Sequence, residues 1–351
     1  MKLRLLIIAA LGLALALYLV TYVGLGAVLA AAVRVGWSGF AILCLYAVGL
    51  FLILGAAWCV LPPDSSPTRL WVFVWARMVR DAAAEVLPFS QLGGIVLGAR
   101  AAILHGVSTP LAFASMIVDV TTEMMAQTAY IALGVVLLSA RAPRTPLAVS
   151  LTTACVIGLA LAALAGGLFL ALQRYGHRIT GGLVARLLPG AVAPTAAVAA
   201  RLDAIYRAPA RVGLSAALHL AGWIASAIGA WIAFRLIGAR VDLAAVMAIE
   251  SLVYATRSAA VFIPNALGVQ EAAYAVLAPL FGVGAEFGLA VSVLKRARDI
   301  AVGVPILLIW QAVEGQRALA GKSGAVSDSD DPATCIPNLR RRLCRWTGVP
   351  D

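Results

Sequence analysis

The sequence predicts an all-α polytopic membrane protein with about six full membrane spans, two broken or re-entrant helix elements and an inverted-topology repeat. Its 351 residues are 62% apolar and only 12% charged, whereas about a quarter of the residues of a soluble domain are charged. Several apolar runs reach the roughly 20 residues that cross a bilayer core. Two breaks containing proline and glycine interrupt this apolar pattern at a fixed separation.

The net charge of +11 does not indicate a nucleic-acid partner, because the basic residues lie at the ends of apolar runs. Such residues set membrane topology and contact lipid headgroups. The five cysteines and three histidines show no metal-ligand spacing. We therefore expect no disulfide framework, metal or cofactor, and we interpret the histidines as ordinary packing residues (His105, His177 and His219).

In the first half, the apolar run 5–23 follows two basic residues and predicts a retained first span with a cytoplasmic N-terminus. Full spans are expected at 40–61 and 110–138. Between them, 70–86 carries four charges and is expected at the interface or in the protein core. The run 95–104 is too short to span and predicts a half-helix.

In the second half, spans are expected at 147–172, 212–236 and 287–310. The segment 173–211 carries seven basic residues, counting His177, against Asp203 alone. It is therefore expected in the cytoplasm as amphipathic helices on an anionic leaflet. The predicted segments are a helix and connector (1–36), a first repeat (37–140), a span with the basic segment (141–212), a second repeat (213–316) and a disordered cytoplasmic tail (317–351).

The two breaks are the candidate binding elements. Lipid cannot satisfy freed backbone groups, so a broken helix at membrane depth must be buried in protein or line a wet cavity. The first break supplies Pro88, Gln91, Gly93 and Gly94. The second supplies Pro264, Asn265, Gly268, Gln270 and Glu271.

An offset of 176 residues relates the two breaks. It places Pro88 on Pro264 and Gly106 on Gly282. The span 40–61 runs in the opposite direction to its counterpart, which predicts an inverted repeat with the transport site at the repeat interface. The alternative is that proline and glycine are simply more frequent in membrane helices.

Charged residues lie within the predicted spans. Asp119 and Glu123 share a helix face, and Lys295–Asp299 occupies the middle of 287–310. Each central charge costs roughly 2.5 to 3.5 kcal/mol to insert. Either these charges line a polar cavity and Lys295 and Asp299 pair with Asp119 and Glu123, or they lie at the interface and 300–310 is a short, shallow helix.

Glu250 and Arg257 are seven residues apart on one helix face and form a second candidate pair before the second break. An intramembrane charge is by default a candidate for function. The structural alternative for the whole network is that buried ion pairs lock the helices together.

The segments 264–271 (PNALGVQE) and 87–94 (LPFSQLGG) resemble the P-x-G-L-G-x-R-E and LP-x-x-x-x-GG elements of the lysylphosphatidylglycerol synthase transmembrane (flippase-like) family. The run 80–94, followed by Asp119 and Glu123, looks most like the hopanoid-biosynthesis-associated subfamily. Asn265 and Gln270 replace a glycine and an arginine of the family pattern, so an anionic-headgroup site is not expected here.

The resemblance implies a lipid-translocating module of a bacterial inner membrane, with both termini cytoplasmic. The cargo is expected to be a hopanoid-like lipid or a phospholipid, and lipid-biosynthesis proteins are expected partners. Glu271, Asp119 and Glu123 are candidate proton carriers. The alternatives are an intramembrane lipid-modifying enzyme and a non-catalytic scaffold. Without a nucleophile-base set or the soluble domain of two-domain relatives, we expect the chain not to be an enzyme.

Overall fold

The computed structural model describes residues 33–63, 69–87, 91–141, 143, 145–187, 192–260 and 263–327. For 91, 92, 174–187, 192–194, 264, 315 and 317–327 it describes only the backbone. The predicted first span at 5–23, Pro88 and the segment beyond Ser327 lie outside the described residues. The described part of the chain contains ten α-helices, one 3₁₀ turn and no strand, as the predicted all-α class requires.

Four helices form the first half: α1 (Gly36–Cys59), α2 (Leu70–Val86), α3 (Gln91–Leu104) and α4 (Thr109–Arg141). The chain passes from α1 to α2 and back along α3, and α2 packs against both neighbours. Gly55 permits the close approach of α1 to α2, because a Cβ atom there would lie 2.6 Å from the Val74 Cα atom.

Six helices follow: α5 (Pro146–Leu187), α6 (Val192–Tyr206), α7 (Pro209–Leu236), α8 (Leu243–Ala259), α9 (Val269–Leu280) and α10 (Ala285–Ser327). Asp242 caps α8, since its Oδ1 atom accepts the Ala245 N–H at 2.7 Å. The 3₁₀ turn Pro264–Ala266 stands between α8 and α9. The second predicted break is therefore real in the backbone.

Four helical segments are long and apolar enough to cross a membrane: α1, α4, Pro146–Gln173 of α5, and α7. They confirm four of the six predicted spans and a multi-pass membrane protein. The apolar window of α5 has no buried residue, so this helix presents its surface to lipid. The predicted span at 287–310 is helical within α10 but does not belong to this apolar set.

Several boundaries differ from the prediction. Helix α5 continues to Leu187, although the span was expected to end at 172. Helix α10 is continuous from Ala285 to Ser327. The short helix expected at 300–310 is therefore wrong, and so is the start of a disordered tail at 317. The backbone hydrogen bonds of a continuous helix tolerate charged side chains when protein groups pair with them.

The chain divides into two compact units, residues 1–306 and 307–351. The core of the first unit is apolar and is contributed mainly by α1, α4, α7, α8, α9 and α10. Helices α4, α7 and α8 pack against one another at its centre. Fully buried large side chains from these helices include Tyr130, Phe234, Ile249, Tyr274 and Leu289. This packing places the charged faces of α2, α4, α8 and α10 inside the protein.

Candidate functional site: two buried charge clusters beside the second break

The first charge cluster joins α2 to α4. Arg77 and Arg80 are three residues apart and share one face of α2. Arg80 contacts both carboxylates of α4: Nη1 lies 2.7 Å from Asp119 Oδ2, and Nη2 lies 2.6 Å from Glu123 Oε2. Arg77 Nη2 lies 2.5 Å from Glu123 Oε1, and Nη1 lies 3.3 Å from Asp119 Oδ2. Two arginines thus clamp two carboxylates.

His219 of α7 and Asp81 of α2 complete the first charge cluster, which we define as Arg77, Arg80, Asp81, Asp119, Glu123 and His219. The Nε2 atom of His219 lies 3.0 Å from Asp119 Oδ1, and both side chains are fully buried. Asp81 accepts from Arg77 Nε at 2.8 Å. The interpretation of His219 as an ordinary packing residue is wrong.

The second break has a left-handed backbone. Asn265 and Ala266 have φ angles of +48° and +45°. This region costs a residue with a Cβ atom about 1 to 2 kcal/mol, although asparagine adopts it more readily than most. Such strain persists where the surroundings over-determine the conformation. Here Arg296 Nη1 and Nη2 donate to the carbonyls of Asn265 and Ala266, at 3.2 and 3.3 Å.

Glu271 connects the break to α9. Its Oε2 atom accepts the backbone N–H of Gly268 at 2.8 Å and so caps the helix. Its Oε1 atom accepts from Arg296 Nε at 2.5 Å and from Ser292 Oγ at 3.2 Å. Gln270 donates to the same serine at 2.9 Å. Both oxygens of this buried carboxylate are therefore already occupied.

Lys295 lies deeper in the same region. Its Nζ atom lies 2.5 Å from Glu250 Oε2 and 2.9 Å from the Tyr274 hydroxyl, which itself donates to Glu250. The ammonium group also lies 5.2 Å from the ring centre of Tyr254. We define the second charge cluster as Glu250, Gln270, Glu271, Tyr274, Ser292, Lys295 and Arg296.

A polar bridge connects the two breaks. Arg257 Nη2 of α8 lies 2.9 and 3.1 Å from the carboxylate oxygens of Glu85, near the end of α2. It also donates to Asn265 Oδ1 at 3.3 Å, and Asn265 Nδ2 donates to the Glu85 carbonyl at 2.9 Å. Glu85 comes three residues before Pro88. The bridge therefore ties the chain entering the first break to the second break.

The pairing differs from the predicted one. Asp119 and Glu123 pair with the arginines of α2, and Lys295 pairs with Glu250. Asp299 pairs with its neighbour Arg298. The pairing of Lys295 and Asp299 with Asp119 and Glu123 across the repeat is therefore wrong. Glu250 and Arg257 share a helix but have different partners.

The remaining predicted site residues belong to the first break. Pro88 lies outside the described residues, as do the side chains of Gln91 and Pro264. Gly93 lies in the first turn of α3. A Cβ atom at Gly94 would lie 2.6 Å from the Arg80 carbonyl oxygen. Gly94 is therefore required for the packing of α3 against α2.

An apolar groove lies on the opposite face of α9 from the second charge cluster. Its volume is about 310 Å³. It is lined by Leu151 and Cys155 of α5, Leu252 and Thr256 of α8, and Val269 and Val276 of α9, among others. Helix α9 therefore separates an ionic, hydrogen-bonded region from an apolar one.

Sequence reasoning missed Arg77, Arg80, Glu85 and His219 as members of these networks. The signal that was available is the pattern Arg77-x-x-Arg80-Asp81-x-x-x-Glu85, which repeats at helical spacing on a helix with many buried residues. Buried charges on one helix require partners on another. The free carboxylates of the next helix, Asp119 and Glu123, were therefore their most direct partners.

Comparison with known proteins identifies one family. Residues 3–306 match the family model described as the lysylphosphatidylglycerol synthase TM region. No curated protein and no solved structure matches the chain. The match confirms the resemblance at the level of the family, while the hopanoid-associated subfamily remains a prediction.

Proposed function

The chain belongs to the lysylphosphatidylglycerol synthase transmembrane family, and we propose that it moves a polar lipid between the leaflets of a bacterial inner membrane. The observation that carries this proposal is the position of the second break. A strained, left-handed turn at Asn265 and Ala266 lies beside buried ion pairs, and an apolar groove runs along the other face of α9. A headgroup and a lipid tail need these two environments side by side.

The helix order supports an inverted repeat. Helices α1 to α4 precede α7 to α10 with the same succession of long, medium, short and long elements. Leu104 and Leu280 end the short helices, Thr109 and Ala285 begin the long ones, and each pair is 176 residues apart. Gly106 and Gly282, also 176 apart, both have positive φ angles of +87° and +74°. Inverted repeats place the transported ligand at the repeat interface.

The chemistry of the break favours a hydroxyl-rich headgroup over a strongly anionic one. Asn265 and Gln270 are neutral hydrogen-bonding side chains. Arg296, the nearest guanidinium group, already pairs with Glu271. We therefore infer that the cargo is a hopanoid-like lipid or another lipid with a polyol headgroup.

We place the basic segment 173–211 against the cytoplasmic leaflet. Its arginines match the positive-inside pattern, and α6 supplies a helix within it. Anionic lipid attracts basic residues by about 1 kcal/mol each near the surface. Proteins that synthesise the cargo lipid are the partners we expect on this side.

A reconstituted assay tests the proposal. Purified full-length protein is inserted into liposomes that contain a fluorescent phosphatidylglycerol or a fluorescent hopanoid polyol, and leaflet exchange is followed by quenching of the outer leaflet. We expect exchange to accelerate and the lipid to be recovered unchanged by mass spectrometry. Chemically altered lipid supports an intramembrane enzyme instead, and the absence of both exchange and alteration supports a scaffold.

Matched variants locate the activity. Glu271→Gln removes the carboxylate that binds Arg296 and caps α9, so we expect exchange to fall to the rate of empty liposomes. Arg141→Ala removes an ion pair between exposed residues, Arg141 and Asp242, and should leave exchange unchanged. Undiminished exchange by a correctly inserted Glu271→Gln protein would rule out this site.

A further inference from the structure

The first charge cluster has an unbalanced charge. Arg77 and Arg80 supply two positive charges against three carboxylates, Asp81, Asp119 and Glu123. With His219 neutral, the cluster carries one net negative charge. The second charge cluster is balanced, because Lys295 and Arg296 match Glu250 and Glu271. The Glu85–Arg257 bridge is balanced as well.

An uncompensated negative charge is unfavourable at this depth. Asp119 has no exposed surface, and Arg77 is 3% exposed. Buried charges in proteins are paired, neutralised or bound to ions. The described residues contain no group of three or more His, Cys, Asp or Glu side chains arranged to hold a metal ion. A proton is the cation that fits the space and the chemistry.

His219 is the member of the cluster that can accept this proton. Histidine changes its charge near neutral pH. Its Nε2 atom is directed at Asp119, while its Nδ1 atom is buried and has no hydrogen-bond partner in the described structure. In the neutral form with the proton on Nε2, Nδ1 carries a free lone pair. Proton binding forms one N–H bond at Nδ1 and breaks no other bond.

The charged groups around His219 come from two helices. Helix α4 presents Asp119 and Glu123, and helix α2 presents Arg77, Arg80 and Asp81. The other helices packed against α7 are α1, α6 and α8. Their titratable groups are Cys44, Tyr46 and Cys59 of α1, Arg201, Asp203 and Tyr206 of α6, and Glu250, Tyr254 and Arg257 of α8. Glu250 and Arg257 are already paired.

We propose that the first charge cluster binds one proton on His219, and that this proton is the ion coupled to lipid movement. The coupling half of the proposal rests on the proposed function. The cluster is graded in exposure, since the side chains of Asp81 and Glu123 are 25% and 17% exposed while His219 and Asp119 are buried. A proton therefore enters along the carboxylates of Asp81 and Glu123 and is held at the buried end.

The coupling is tested with a pH gradient across liposomes that contain the full-length protein and fluorescent phosphatidylglycerol. One proton moving down a one-unit gradient changes an equilibrium by up to about tenfold, so reversing the gradient should change the direction or rate of net lipid movement. His219→Gln keeps a donor for Asp119 but has no titratable group, and should abolish the gradient dependence. His105→Gln, a change at another partly buried histidine, should retain it.

The proton site is tested separately by ¹⁵N NMR of histidine-labelled full-length protein in nanodiscs. The His219→Gln spectrum assigns the His219 signal. We expect this signal to show an imidazolium in the middle of the range from pH 5 to 8, and Asp119→Asn should shift it towards the neutral form.

The two measurements separate the two proposals. A His219 signal that stays neutral over this range and ignores Asp119→Asn overturns the proton site. A titrating His219 in a protein that moves no lipid overturns the proposed function and leaves the proton site standing. Lipid movement with the same gradient dependence in His219→Gln overturns the coupling.

Discussion

The two buried charge clusters occupy comparable places in the two halves of the chain but are built in opposite ways. In the first, the arginines lie on the second helix of the half and the carboxylates on its long helix, α4. In the second, Glu250 and Glu271 lie on α8 and α9, and the basic residues lie on the long helix, α10. Asp119 and Lys295, which are 176 residues apart, carry opposite charges.

The difference concerns both charge balance and backbone. The second cluster is neutral, and it caps a helix and holds a strained turn, so its ion pairs define a fixed backbone geometry. The first cluster has surplus negative charge and a histidine with an unpartnered nitrogen. We infer that the second cluster forms the rigid frame of the site and the first cluster is the part that changes its charge. Four predictions test this distinction.

The largest effect is expected from Glu271→Ala in the rigid second cluster. The change leaves Arg296 buried without its carboxylate and removes the cap of α9. Breaking a buried ion pair from one side costs about 3 to 5 kcal/mol. The free energy of unfolding in mixed micelles should fall by this amount. The Arg141→Ala control, at an exposed pair, should cost no more than about 1 kcal/mol, and equal losses in both would contradict the distinction.

Lys295→Met should cost nearly as much, about 3 kcal/mol, because Glu250 is left charged and buried. The hydroxyl of Tyr274 still donates to Glu250 and offsets part of the loss. The double variant Lys295→Met/Glu250→Leu removes both charges, and a buried pair replaced by apolar side chains is often neutral in stability. A double-mutant cycle measures this recovery. If the double variant is less stable than Lys295→Met alone, the pair is not an isolated ionic contact.

Asp81→Asn in the first cluster should have a small effect, within about 1 kcal/mol. This change removes the surplus negative charge and retains the shape of the side chain, and Asp81 is partly exposed. The same micelle unfolding experiment measures it beside Glu271→Gln, which is also isosteric. A loss at Asp81 as large as the loss at Glu271 would show that the first cluster is as rigid as the second.

The smallest effect, and one of opposite sign, is expected from Ala266→Gly. Alanine pays for its left-handed backbone, whereas glycine adopts this conformation freely. The protein should gain up to about 1 kcal/mol of stability, seen as a higher melting temperature. Ala260→Gly, at the end of α8 where φ is −90°, is the control and should give no gain. A destabilised Ala266→Gly protein would mean that the methyl group packs more favourably than the strain costs.

The sequence alone determined the membrane class and most of the helices. Apolar runs of the right length identified α1, α4, α7 and the first part of α5, because the thickness of a bilayer fixes the length of a span. Proline, asparagine and glycine identified the second break, because these residues interrupt helices for local steric reasons. The bounds of α2 follow equally well from its local pattern.

The tertiary structure alone decided which charges meet. Asp119 meets Arg80, 39 positions earlier, and His219, 100 positions later. Lys295 meets Glu250 rather than the carboxylates of α4. Helical periodicity fixes which residues share a face but not which helix that face contacts, and the choice of neighbour depends on how all the helices pack together. The charge of a single residue is therefore a local property, whereas the net charge of a buried cluster, and with it the proposed role of His219, is a property of the fold.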